Sequence, residues 1–137
     1  MVLTDQQRQL VTDSFARLVP LSNEATAVFY NRLWEIAPET KSLFHTSDMT
    51  QQGLKLMQTL GVSVRALHNP DSLVPLLQDL SKRHIGYGVT KEQFEPVKSA
   101  LLWMIEHCLE SDFTYETREA WIAAYDLIAT ITISAYE

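Results

Sequence analysis

His84 stands at the end of a leucine stripe. Leu73, Leu76/Leu77 and Leu80 recur at i, i+3/i+4 and i+7, and the next position on that face is His84. An imidazole in a leucine's place can offer a nitrogen lone pair to a metal ion. On a helix its other ring nitrogen can donate to the carbonyl four residues back, that of Leu80, which fixes the tautomer and orients the ring. A lone histidine on an apolar stripe is more often a satisfied core residue, so its surroundings decide between the two. Tyr30 follows Phe29 inside an apolar stretch, where a phenol O–H is a hydrogen-bond donor in a dry setting. Gln52 and Leu56 are four apart and share one helix face, an amide donor beside an apolar wall. His45, His68 and His107 fall in a loop or near helix ends and are expected in solvent.

Helices position these residues. The histidine stretch, from Asp71 to Val89, reads as one amphipathic helix opened by the Asn69-Pro70-Asp71 turn and closed by Gly86 and Gly88. Pro75 falls within or just past its first turn, where a missing N–H costs least. Upstream, Thr4 and Gln7 form a capping-box pattern ahead of the stripe Leu10, Val11, Phe15 and Leu18, which Pro20 ends. Ser22 or Asn23 can cap a second helix with Ala27, Phe29, Tyr30, Leu33 and Trp34 inward. Pro38 opens a short helical turn to Phe44, and a polar loop occupies 45–50. Gln51 to Leu67 forms the next helix, with Leu56, Met57, Leu60 and Val64 on one side. Beyond Val89, Thr90 caps a helix to about His107, with Phe94, Val97, Leu101, Met104 and Ile105 inward and Pro96 marking a late start or a kink. Thr114 precedes the last helix, about 115–136, with Trp121, Ala124/Tyr125, Ile128 and Ile131/Thr132 inward. No strand alternation, repeat or linker is evident. The expectation is a single all-α domain over 1–137 with six to eight helices.

Composition narrows the function classes. A net charge of −6 without a basic run makes nucleic acid and anionic membrane surfaces poor partners. The single cysteine, Cys108, permits no internal disulfide and suits a reducing compartment. The N-terminal MVLTDQQRQL is too polar for a signal peptide, and no apolar run approaches the ~20 residues that span a bilayer. A cytoplasmic location is expected.

Three motifs carry a resemblance across essentially the whole chain: VFYNRLWEIAPETKSLF at 28–44, QQGLKLMQTLG at 51–61 and LVPLLQDLSKRHIGYGV at 73–89. The sequence resembles the bacterial single-domain globins and the haemoglobin domain of flavohaemoglobins. That resemblance implies a three-over-three helical sandwich around haem b. It makes His84 the proximal iron ligand and Phe44 the phenylalanine that stacks on the haem, with Pro38 at the family's turn. It makes Tyr30 the distal tyrosine, whose hydroxyl stabilises the partial negative charge on bound O2. Gln52 and Leu56 match the distal positions, with Gln52 preferred over its neighbour Gln51. Thr26 and Gly53 match the small residues where two helices cross closely. Lys55, Arg83 and Tyr87 become partners for the haem propionates, and Leu80, Val89, Phe94 and Val97 become haem contacts.

The chain also departs from the flavohaemoglobin pattern. Phe94 stands where that family carries a tyrosine supporting the proximal histidine, and Glu137 stands about where its supporting glutamate lies. Loss of that pair weakens the electronic push needed for peroxide or NO chemistry. The globin consumes residues 1–137, so no flavin or nicotinamide site is expected, and the GYG at 86–88 is a helix end with no preceding strand. Three readings follow. The first is reversible binding of O2, with CO and NO as alternative ligands, on pentacoordinate haem for storage or transport. The second is NO dioxygenation, or weak peroxidase or nitrite reductase chemistry, with an external reductase. The third is a haem-free interaction module. Self-association as a homodimer is left open by the sequence.

Overall fold

The computed structural model describes residues 3–44, 48–86 and 89–134. Among them are six α-helices and no strand. The helices are α1 (Asp5–Leu18), α2 (Ser22–Ile36), α3 (Met49–Ala66), α4 (Pro70–Gly86), α5 (Phe94–Leu109) and α6 (Tyr115–Ser134). Four short 3-10 segments join or flank them: Val19–Leu21, Pro38–Phe44, Lys91–Gln93 and Glu110–Asp112. His45, Tyr87, Gly88 and the Tyr136-Glu137 end lie outside the described residues.

The Thr4–Gln7 capping box expected from the sequence forms at the start of α1. The Thr4 hydroxyl accepts from the Gln7 amide at 3.0 Å, and the Gln7 side chain accepts from the Thr4 amide at 3.0 Å. Thr90 and Gln93 form a second box, but the turn it opens is the 3-10 segment, and the α-helix begins at Phe94. Pro96 therefore sits in the first turn of α5, where it interrupts nothing. Two expectations are corrected. Neither Ser22 nor Asn23 caps α2: the chain arrives already helical through Val19–Leu21, and the Ser22 hydroxyl turns back to the Val19 carbonyl. And α3 starts at Met49 because Asp48 caps it, accepting from the Thr50 amide at 2.9 Å and the Gln51 amide at 3.3 Å.

Burial follows the helical stripes. Val11, Leu18, Leu77, Met104 and Ile105 are fully enclosed. Ala27 is an exception: it faces outward, and Ala25 is the core alanine of α2. The principal packing pairs are α1 with α6 and α2 with α5, and α3 crosses α2. Polar side chains stitch distant helices inside this core. The Trp121 indole N–H donates to Ser14 Oγ at 2.8 Å, joining α6 to α1, and Ser81 Oγ donates to the Thr132 carbonyl at 2.8 Å, joining α4 to α6. Each satisfies a group whose burial would otherwise cost on the order of 1–3 kcal/mol.

The α2–α3 crossing is set by Gly53. A Cβ there would lie 2.9 Å from Thr26 Oγ1 and 3.1 Å from Thr26 Cβ, so only glycine lets the two backbones approach this closely. Helix α4 runs through Pro75, which leaves the Asp71 carbonyl without its amide partner. Both residues are exposed, so water can take that place.

A cavity between α3 and α4

Helix α4 holds His84 over a cavity by burying Leu73, Leu77 and Ser81 on its other contacts. His84 Nδ1 lies 2.8 Å from the Leu80 carbonyl oxygen. A carbonyl only accepts, so Nδ1 carries the proton and the lone pair of the neutral ring resides on Nε2. The backbone just beyond α4 is tied to the same turn, because the Val89 amide donates to the His84 carbonyl at 3.0 Å.

Two spaces meet at this ring. A cavity of about 460 Å³ is lined by Leu43, Phe44, Gln52, Lys55, Leu56, Gln58, Thr59, Leu80, Arg83, His84 and Val89. A deeper, almost wholly apolar space of about 140 Å³ continues past His84 toward Phe94, Val97, Trp121 and Tyr125. They share Thr59, Leu80, His84 and Val89. Together they fall within the ~300–1,000 Å³ typical of a ligand site.

Most of the residues singled out in the sequence are brought around these two spaces. Gln52, Leu56, Phe44 and Lys55 come from α3 and the Pro38–Phe44 segment; Leu80, Arg83 and His84 come from α4. Phe94 and Val97 come from α5 and border the deeper space, the Phe94 ring 6.3 Å from the imidazole. Gln51 is exposed while Gln52 lines the cavity. Tyr87 and Glu137 lie outside the described residues. Arg83, at the cavity rim, also pairs with Asp79 one turn back at 2.7 Å.

Tyr30 is placed differently. It is 6% exposed, but it opens on a separate cleft between α2 and the start of α3. Its ring meets Phe44, which lines the larger cavity, edge-on at 5.3 Å. Its hydroxyl makes a long contact, 3.5 Å, to the Gln52 backbone carbonyl. Burial pushes the Tyr30 phenol above its usual range, and the Gln52 side chain opposes this to a smaller degree.

Two site features escaped the sequence reading. Thr59 lines both spaces, and its signal was available: Gln52, Leu56 and Thr59 fall on one face of α3. Tyr125 was read as inward but given no task. Its hydroxyl donates to the Phe94 carbonyl at 2.7 Å, so the proton of this proximal-side phenol is committed to backbone. Burial, with Glu95 and Asp126 adding to it, holds that phenol well above its usual range.

A model of the globin domain matches residues 27–132. The neuroglobin of Chaenocephalus aceratus is 25% identical over 139 residues, covering 92% of this chain and 87% of the relative. A flavohemoprotein of Rhizobium meliloti is 28% identical over 142 residues, covering 99% of this chain and 35% of the relative. An anaerobic nitrite reductase of Gossypium hirsutum is 31% identical over 149 residues, covering 96% and 90%. The chain belongs to the globin family. It has the all-α globin fold and is a haem-binding globin, of a family that binds diatomic gases.

The residues present fit haem. The apolar walls that Phe44, Leu56, Leu80 and Val89 give the larger cavity suit a flat macrocycle, the Nε2 lone pair of His84 suits its iron, and Lys55 and Arg83 at the rim suit its acidic edge. Among the described residues no cluster of histidine, cysteine and carboxylate side chains offers a separate metal site. No described helix is long and apolar enough to cross a membrane.

Proposed function

We propose that this chain is a single-domain globin of the bacterial type, spanning 1–137, that binds O2 reversibly on haem b, with CO and NO as competing ligands. The observation that carries the reading is the His84–Leu80 contact. It commits one ring nitrogen to backbone and turns the other, with its lone pair, toward a cavity large enough for the cofactor. Haem would supply a ferrous iron with one coordination position for His84 and one for a diatomic gas. The chain's own residues do the rest. Phe44, Leu56, Leu80, Val89, Phe94 and Val97 exclude water and bury the ring's faces, at about 25 cal/mol per Å² of apolar area. Lys55 and Arg83 hold the acidic edge.

On the distal side Gln52 offers an amide donor and is a poor iron ligand, which supports a sixth position left open. Tyr30 becomes a second donor by turning its hydroxyl away from the Gln52 carbonyl. The 3.5 Å separation means little is lost in that turn. On the proximal side Phe94 has no hydroxyl, and that of Tyr125 is spent on the Phe94 carbonyl. Neither of these two side chains then polarises His84, which favours ligand storage or transport over peroxide chemistry.

Likeness to a flavohemoprotein supports a second reading, NO dioxygenation in the cytoplasm with a separate reductase. Sustained NO consumption with a reductase and electron donor, over many turnovers, would establish it; a single turnover would not. The first test is the visible spectrum of haem-loaded, dithionite-reduced protein with and without CO. A broad deoxy band that sharpens on CO is expected. Two sharp bands before CO would mean an internal sixth ligand and would overturn the open-site reading. Replacement His84→Ala should leave haem weakly held, and an unaltered spectrum with tight retention would reject His84 as the ligand.

A further inference from the structure

Helix α3 has a second working face. One side carries Gln52, Leu56 and Thr59 to the His84 cavity. Another presents Gln51, Leu54, Gln58, Val62 and Arg65, all of them exposed. Steps of three and four residues keep these five on one stripe, within about 40° of Gln58 on a helix that turns about 100° per residue. Its apolar members are well exposed, Leu54 at 51% and Val62 at 38%.

Charge sets this stripe apart from the rest of the surface. The chain carries 17 carboxylate side chains against 11 of lysine and arginine. Each of the other five α-helices exposes at least two carboxylates. Helix α3 has none from Met49 to Ala66. Two copies, each of net charge −6, repel wherever their carboxylates meet. The α3 stripe is the helical face on which they can approach without that cost. The charge it does carry is polarised. Asp48 stands at its N-terminal end, and Arg65 stands in the last turn, exposed and without an ion-pair partner among the described residues.

We propose that this stripe is a self-association surface, on which two copies of the chain pair α3 against α3, antiparallel about a two-fold axis at Gln58. A two-fold contact must be complementary to itself, and the residue order here meets that demand. Antiparallel alignment sets Leu54 level with the partner's Val62, and Gln51 level with the partner's Arg65. The Gln51 amide oxygen can accept from that guanidinium. The Asp48 carboxylate lies within one turn of the same cation. A parallel alignment would instead set Arg65 against its own copy. One helix face buries less than the ~1,200 Å² of a standard stable interface, so the pairing is weak, with a dissociation constant on the order of 0.1 mM. Nothing in the contact requires haem, and it stands or falls separately from the gas-binding reading.

Sedimentation equilibrium of haem-loaded, CO-saturated protein, from about 10 µM to about 1 mM, tests the pairing. The mean mass should rise with concentration from 15.6 kDa toward twice that value. Val62→Glu buries a carboxylate in the stripe and should weaken association by about tenfold or more. Val74→Glu is the matched control: Val74 is 43% exposed but lies on α4, and association should be unchanged there. Arg65→Glu should also weaken association. Adding Gln51→Arg to Arg65→Glu should restore it, because the exchanged charges meet only in the antiparallel register. The CO spectrum reports that each variant is folded. A protein that stays at 15.6 kDa up to the highest concentration overturns the proposal. So does a Val74→Glu effect as large as that of Val62→Glu, or a charge exchange that restores nothing.

Discussion

Single side chains decide how this globin would handle a gas. Tyr30 is poised but not aimed: its hydroxyl rests on a long contact to the Gln52 carbonyl, in surroundings that keep the phenol protonated. The Tyr30→Phe protein should therefore release O2 some 10- to 100-fold faster, about 1.4–2.8 kcal/mol, the value of a buried hydrogen bond to a charged acceptor. Flash photolysis or stopped-flow displacement reads this directly, and an unchanged off-rate would remove Tyr30 from the distal site. Tyr125 acts on stability instead. Loss of its hydroxyl in Tyr125→Phe removes this part-buried hydrogen bond to the Phe94 carbonyl and should cost about 1 kcal/mol at neutral pH by denaturant titration. The same phenol gives a pH dependence of definite sign. Tyr30 and Tyr125 both have folded-state values raised above the unfolded one, near 10. Their contribution is then complete below about pH 10. Above it the unfolded chain sheds protons the folded chain keeps, so stability falls until the folded phenols ionise too. Denaturant midpoints between pH 8 and 11.5 should decline beyond 10, less steeply in Tyr125→Phe.

At the scale of helices, what mattered most was where two elements touch. Gly53 against Thr26 is one such place, and Thr26 cannot simply step aside, because its hydroxyl donates to the Ser22 carbonyl at 2.9 Å. Alanine at 53 gains up to ~1 kcal/mol of helix propensity. It also forces a contact of 2.9 Å at a β-branched side chain, and overpacking of that kind costs about 1–3 kcal/mol. A net loss of stability is expected for Gly53→Ala, partly recovered in the Thr26→Ala background, where the nearest contact relaxes to 3.1 Å. A double-mutant cycle on thermal unfolding checks it, and additive effects would deny the coupling. The pairing of Thr26 with Gly53 was legible from the family resemblance, as the leucine stripe was from its period and the Thr4–Gln7 box from its chemistry. Other features were not. Asp48 sits in a run where Thr46, Ser47, Asp48 and Thr50 are all cap-forming types, so no pattern could choose among them. Ser22 looked like a cap but lost the role because a cap needs an extended backbone before the helix, and the preceding 3-10 turn denies it that. Tyr30 was legible as buried, but which of two neighbouring spaces it borders depends on the crossing of α2 and α3, a tertiary fact that no local period contains.

Across the whole molecule, the helices do not depend equally on the cofactor. The α1–α6 and α2–α5 pairs enclose Leu18, Met104 and Ile105, none of which lines either space, and the Trp121–Ser14 bond ties α6 to α1. Helix α4 is divided. Its first half is anchored by Leu73 and Leu77, and Ser81 fastens it to α6. From Lys82 onward its inward residue is His84, which faces open volume where a core helix would meet packed side chains. Haem filling that volume would supply the missing apolar contact and a metal bond, so the last turn of α4 has the most to gain from binding. A ligand that binds only the folded state stabilises it by mass action, and the gain concentrates in segments whose local opening exposes the site. Amide hydrogen exchange on haem-free and haem-loaded protein should thus show α1, α2, α5 and α6 protected in both. Residues 82–86 should exchange at least tenfold more slowly once haem is present, while 73–77 change less. Uniform slowing across all helices would mean that opening is global and α4 has no separate weakness. Equal protection of 82–86 in both forms would mean that Ser81 and the leucines alone hold His84 in place, and that the proximal ligand is preorganised before the cofactor arrives.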